Sequence, residues 1–347
     1  GPSRLFIDDK DLIDNWSSQE PGDAFFGMGS KAKRGQKILE SGKEYTIHVE
    51  YKWEGRFPAV QIGMLAPDDH DLMEAAVNLA KKSDATILLV GTNSDWETEG
   101  NDRDSLLLPL RQNELIEKVC KANKNTVVVL NTGSPCEMPW NDEANAILQC
   151  WFPGQEFGNS LSDVIFGKTN PSGKLPTTFP KTIKDTPAYS SYPGKDLQMD
   201  YEEGLFIGYR WYDREKIDPL FSFGHGLSYT TFEYSNLRAI PPKGTSSVAA
   251  FEVEIKNTGS LVGKEVVQGY IKVPVSKVER PEKELKKFEK ISLEPGETKK
   301  VQFELSERDL SFWSVDTKSW QVEPAEYIFE VGASAGDIRE SASVWLG

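Results

Sequence analysis

The run ATILLV, residues 85–90, is short, continuous and apolar, which is typical of a β-strand covered on both faces. Before it, residues 71–80 carry apolar side chains at helical spacing. The pattern then repeats along the chain, and it predicts helix 114–121, strand 126–130, strand 146–150 and helix 157–166. Alternating strands and helices of this kind indicate an α/β domain with a mostly parallel sheet.

The α/β region is flanked by predicted β structure. On the N-terminal side the candidate strands are 5–7, 45–51 and 59–63. On the C-terminal side they are 249–256, 266–273, 298–305 and 327–331, at a spacing typical of an antiparallel β-sandwich. A stretch rich in proline, glycine and aromatic residues before the sandwich predicts an ordered wrapping connection. We therefore expect a multidomain α/β plus all-β chain with segments 4–66, 67–180, 181–232 and 233–347.

The charge balance disfavours some partners. With 40 Lys and Arg against 54 Asp and Glu, the formal net charge of −14 disfavours nucleic acid, whose binding depends on basic side chains. No run approaches the about 18 apolar residues of a membrane span, so no membrane partner is expected. Four lysines, Lys283, Lys286, Lys287 and Lys290, alternate with glutamates and are predicted to form a solvated face.

The cysteines and the N-terminus bear on localisation. The three cysteines, Cys120, Cys136 and Cys150, form no CxxC pair and are expected to be buried thiols. Together with the absence of a signal-like start, this favours a cytoplasmic protein. A single glycosylation sequon, Asn15-Trp16-Ser17, leaves secretion open.

The densest concentration of reactive side chains directly follows strand 85–90. The loop 93–103 holds four carboxylates (Asp95, Glu97, Glu99 and Asp102), together with Trp96 and Arg103. Carboxyl groups protonate glycosidic oxygens, and an indole offers a flat face for a sugar ring. Composition alone equally allows a solvent-exposed acidic loop with one packing tryptophan.

The order of motifs resembles that of the family 3 glycoside hydrolases of the β-glucosidase type. The string Glu97-Thr98-Glu99-Gly100-Asn101-Asp102-Arg103 is similar to the ExEGYDR signature of that family, with Asn101 at the position of its tyrosine. Further motifs of the family are matched in the same order at 131–135 with 138–140, at 170–176 (NPSGKLP) and at 223–230 (FGHGLSYT). The resemblance extends across essentially the whole chain.

The resemblance implies a fold of three parts and a set of roles. The expected parts are a partial PA14-like β domain, an α/β sandwich with a mostly parallel sheet, and a C-terminal fibronectin type III-like β-sandwich. Glu99 falls on the family's general acid/base, while the nucleophilic aspartate belongs to a TIM-barrel domain that this chain does not contain. The residues expected to contact the sugar are Trp96, Glu97 and Arg103, with Phe25 and Phe26 from the PA14-like part.

The sequence leaves two functions open. One is a retaining β-glucosidase acting on terminal β-linked glucosides or oligosaccharides, in which this chain alone is inactive without the barrel domain or a barrel chain. That reaction needs no metal or cofactor, and a homo-oligomer is possible in principle. The alternative is a non-catalytic carbohydrate-binding or scaffolding module, in which Trp96, Phe25 and Phe26 bind sugar without cleavage.

Overall fold

A computed structural model of the chain describes residues 1–22, 29–53, 58–65, 71–99, 102–244 and 246–347. These residues form two compact units. The first, called the N-terminal unit, contains residues 1–133 and 140–149, and the second, called the C-terminal unit, contains residues 134–139 and 150–347. Across the described ranges, no helix is long and apolar enough to cross a membrane.

The N-terminal unit begins with an antiparallel sheet of three strands in the order β2-β1-β3. The strands are β1 (Ser3–Ile7), β2 (Lys10–Asn15) and β3 (Ile47–Tyr51). The predicted strand at 59–63 is wrong, since residues 58–65 contain no strand and the side chains of Val60 and Ile62 are 44% and 53% exposed. An alternating apolar pattern forms a strand only where a neighbouring strand pairs with it, and the described sheet ends at β2 and β3.

The second part of this unit is the predicted α/β fold. Its elements in chain order are α1 (Leu72–Lys82), β4 (Thr86–Gly91), α2 (Gln112–Ala122), β5 (Thr126–Asn131) and β6 (Ala146–Gln149). The strands form a parallel sheet in the order β4-β5-β6. Helix α1 begins where the Asp71 carboxylate accepts hydrogen bonds from the backbone N–H groups of Met73 and Glu74, at 3.0 and 3.2 Å.

Strand β4 is covered on one face only within the described residues. Val90 is buried, whereas Ile87 and Leu89 on the opposite face are 52% and 55% exposed. The sequence predicted a strand covered on both faces; among the described residues, one face of β4 is covered and the other is exposed.

The C-terminal unit contains helices α3 (Phe157–Ile165) and α4 (Tyr209–Glu215) and an ordered connection around them. The indole N–H of Trp211 donates to the carbonyl of Asp185 at 3.2 Å, which ties α4 to the preceding chain. The prediction for Lys283 is wrong, because this side chain is buried and its Nζ lies 2.8 Å from both carboxylate oxygens of Asp213 in α4. An acidic partner on another element compensates the burial of the ammonium group.

The rest of the C-terminal unit is the predicted β-sandwich. Its elements are β7 (Phe232–Ile240), β8 (Ser247–Asn257), β9 (Gly263–Lys272), β10 (Glu284–Leu293), β11 (Thr298–Ser306), the short helix α5 (Glu307–Leu310), β12 (Phe312–Ser314), β13 (Ser319–Gln321), β14 (Ala325–Ser334) and β15 (Asp337–Leu346). The two main sheets run β10-β9-β14-β15 and β11-β8-β7. Between them, the buried rings of Phe251 and Phe329 stack with centroids 4.5 Å apart.

Candidate active site

The carboxyl ends of β4 and β5 lie side by side, which is where parallel α/β sheets gather ligands. Gly91 pairs with Asn131 at this edge. A Cβ on Gly91 would lie 2.2 Å from the Asn131 carbonyl oxygen, so the close approach requires glycine. The side chain of Gln112 at the start of α2 donates to the Gly91 carbonyl at 2.9 Å and accepts from its N–H at 2.8 Å. The end of β4 is therefore fixed from two sides.

The acidic loop leaves β4 through a compact turn around Asn93. The side-chain oxygen of Asn93 accepts from the N–H of Asp95 at 3.0 Å, and its carbonyl accepts from the N–H groups of Trp96 and Glu97 at 3.0 and 2.9 Å. Asparagine favours such turns because its side chain bonds to the backbone two residues on. The turn leaves the Trp96 indole 39% exposed.

Glu97 is held by three groups from separate segments. Its Oε1 accepts a 2.6 Å hydrogen bond from Oγ1 of Thr92, directly after β4, and a 3.1 Å bond from the N–H of Gly133, beyond the end of β5. Nη1 of Arg103, on the far side of the loop, lies 3.8 Å from the same oxygen. The Glu97 and Arg103 side chains are only 15% and 14% exposed.

Glu99 has the opposite environment two residues later. The residue is exposed, and its carboxylate makes no hydrogen bond or ion pair with any other residue that the structure describes. A carboxyl group that is accessible to a ligand can exchange a proton with it. A carboxylate that accepts hydrogen bonds from its neighbours is less available for that exchange.

The structure places four of the predicted site residues on one loop: Trp96, Glu97, Glu99 and Arg103. Phe25, Phe26 and Asn101 lie outside the described residues. Two residues that hydrogen-bond Glu97, Thr92 and Gly133, were not among the predicted site residues. Their positions directly after two predicted parallel strands were the available signal.

The chain thus combines an acidic loop at the carboxyl end of a parallel sheet with an antiparallel β-sandwich further along the sequence. The model of the glycosyl hydrolase family 3 C-terminal domain matches residues 14–229, and that of the fibronectin type III-like domain matches residues 265–335. The chain belongs to glycosyl hydrolase family 3.

Individual relatives agree with this family. A β-glucosidase of Rhizobium radiobacter is 40% identical over 100% of this chain and 44% of its own length, and one of Kluyveromyces marxianus is 42% identical over 97% and 41%. A crystal structure of the Kluyveromyces marxianus β-glucosidase matches with a TM-score of 0.90 at 40% identity, covering 100% of this chain and 42% of that chain. The chain thus spans less than half the length of these relatives.

Proposed function

We propose that this chain is part of a retaining β-glucosidase that hydrolyses terminal β-linked glucosides, with Glu99 as its general acid/base. The observation that carries the proposal is the exposed Glu99 carboxylate on the loop after β4, two residues after a carboxylate whose Oε1 accepts two hydrogen bonds. Further support comes from relatives described as β-glucosidases, which are 40% and 42% identical to this chain.

The proposed reaction has two steps. In the first, a nucleophilic carboxylate attacks the anomeric carbon while the Glu99 carboxylic acid donates its proton to the glycosidic oxygen, so the C–O bond breaks and the alcohol leaves. In the second, the Glu99 carboxylate takes a proton from water, and the resulting hydroxide displaces the enzyme carboxylate. The two inversions together retain the anomeric configuration.

The nucleophile is proposed to lie on a barrel domain outside this chain. A retaining mechanism needs two carboxyl groups about 5–5.5 Å apart that are both free to react. Glu97 lies two residues before Glu99, and its side chain is only 15% exposed. Its Oε1 already accepts hydrogen bonds from Thr92 and Gly133. Relatives more than twice as long leave room for a further domain. This chain alone is therefore expected not to turn over a glucoside.

Sugar contacts are proposed for the exposed indole of Trp96 and for Phe25 and Phe26. Trp96, on the same loop as Glu99, is 39% exposed, and its ring is suited to stacking on a pyranose. We also propose that residues 4–66 form part of a PA14-like β domain that borders the site. The antiparallel sheet β2-β1-β3 is compatible with that assignment.

The test is hydrolysis of 4-nitrophenyl β-glucoside by the whole protein that carries this chain. Replacing Glu99→Gln is expected to lower kcat/KM by about 10²–10⁴-fold, the usual contribution of a general acid/base. The matched control is Glu117→Gln on α2, where the carboxylate is 51% exposed and pairs with Lys121, so activity should be unchanged. Sugar binding without any hydrolysis by the wild-type protein would refute the enzymatic proposal and favour a carbohydrate-binding module.

A further inference from the structure

We propose that Glu97 is a positioning residue that holds the loop carrying Glu99 against the ends of two strands, and that it does not serve as a sugar ligand. This inference rests on the proposed role of Glu99 as the acid/base. It deepens that role by naming the group that fixes where the acid lies.

Three contacts converge on one oxygen atom of the Glu97 carboxylate. Oε1 of Glu97 accepts from Thr92 at the end of β4 and from Gly133 beyond the end of β5, and it pairs with Arg103 where the loop returns. Gly133 is 36 residues away in sequence. One carboxylate therefore joins both strand ends and both sides of the loop.

The burial of these groups makes the connection strong. Thr92 is buried, and the Glu97 and Arg103 side chains are 15% and 14% exposed. Hydrogen bonds to a charged carboxylate are roughly twice as strong as bonds between neutral groups, and they gain further from low exposure to water. These contacts restrain the backbone around Glu97.

The spacing along the chain transmits this restraint to Glu99. Two residues span at most about 7 Å even when fully extended, so fixing the side chain of Glu97 limits where the Glu99 backbone can lie. A misplacement of about 1 Å in a catalytic group can cost about 10²-fold in rate. Releasing Glu97 is therefore expected to affect proton transfer more than sugar binding.

The first measurement is amide hydrogen exchange of the segment 93–99 in the whole protein. Glu97→Ala removes all three contacts, and exchange should accelerate about tenfold or more, as expected for losing charged hydrogen bonds. Thr92→Val removes one contact while leaving the Glu97 carboxylate in place, and it should give a smaller acceleration. Glu97→Gln keeps both acceptor contacts and should largely preserve protection. Glu117→Ala on α2 is the control and should leave this segment unchanged.

The second measurement compares two substrates with different leaving groups. A merely structural role of Glu97 would change the rates for both substrates by the same factor. With 2,4-dinitrophenyl β-glucoside the leaving group needs no proton, whereas with methyl β-glucoside it needs one. Glu97→Ala is expected to lower the rate of glycosylation about tenfold more for the methyl glucoside. A sugar ligand would instead raise KM equally for both substrates, and that result would overturn the proposal.

The two readouts separate this inference from the proposed function. If Glu99→Gln abolishes hydrolysis but Glu97→Ala leaves both exchange and leaving-group dependence unchanged, the positioning role is wrong and the acid/base assignment stands. If Glu97→Ala accelerates exchange while Glu99→Gln leaves hydrolysis intact, Glu97 still anchors the loop but Glu99 is not the acid, and the positioning role for catalysis is overturned with it.

Discussion

Replacing Gly91, the last residue of β4, with alanine is expected to disturb the acidic loop that follows it. The new Cβ would lie 2.2 Å from the carbonyl oxygen of Asn131, whereas a relaxed contact of this kind needs about 3.5 Å. The ends of β4 and β5 would have to separate by more than about 1 Å. Because the obstructing atom belongs to the backbone and cannot rotate away, the cost should be near the upper end of overpacking penalties, about 3 kcal/mol.

The assay is thermal unfolding together with amide exchange at residues 92–99. A loss of about 3 kcal/mol in a unit of this size corresponds to a fall in Tm of about 6–12 °C. The loop should also exchange faster, since Thr92 and Gly133 follow the two displaced strand ends. Gly63→Ala is the matched control in the same unit, because a Cβ there meets no atom within 4 Å. An equal response of the two variants would refute the close approach of the strand ends.

Three further experiments test the C-terminal unit. Phe329→Ala should cost about 3–5 kcal/mol in urea unfolding, because its ring is fully buried, whereas Phe288→Ala, with a ring that is 70% exposed, should cost far less. Burial lowers the pKa of His225, so the unfolded chain binds the proton more readily than the folded chain. The free energy of unfolding should therefore fall as the pH drops below about 6.5, the usual pKa of histidine. His225→Phe should flatten this pH dependence in unfolding curves measured across the acid range. Lys283→Met should lose about 3 kcal/mol by removing the ion-pair partner of the Asp213 carboxylate, whose side chain is only 20% exposed, and adding Asp213→Leu should restore most of it. A Lys283→Met variant as stable as wild type would contradict this.

The elements with a clear period were predictable from sequence. Helix α1 and strands β4 and β5 follow from local spacing, because apolar residues at helical spacing predict a helix and a short continuous apolar run predicts a strand. The same alternation at 59–63 forms no strand, since local pattern carries no information about the presence of a partner strand. Lys283 shows the same limit, because its acidic partner is 70 residues away.

The place of the acidic loop in the fold was predictable from the sequence, whereas the environments of its carboxylates were not. The motif and the preceding apolar strand placed this loop after a strand of a parallel sheet, as the structure has it. The different environments of Glu97 and Glu99 could not be predicted, because they depend on the register that brings Gly133 beside the loop. The spacing of two residues does not show that one carboxylate is largely buried and the other exposed, because this difference depends on the pairing of β4 with β5.

The most direct test of the acid/base assignment is azide rescue of Glu99→Ala in the whole protein, with 2,4-dinitrophenyl β-glucoside as substrate. This substrate forms the glycosyl-enzyme without a proton donor, so the variant should stall at the second step for lack of a base. Azide needs no base and should restore turnover at least about tenfold, with β-glucosyl azide as the product. Absence of both rescue and the β-azide would contradict the account of Glu99 as the acid/base of a retaining β-glucosidase.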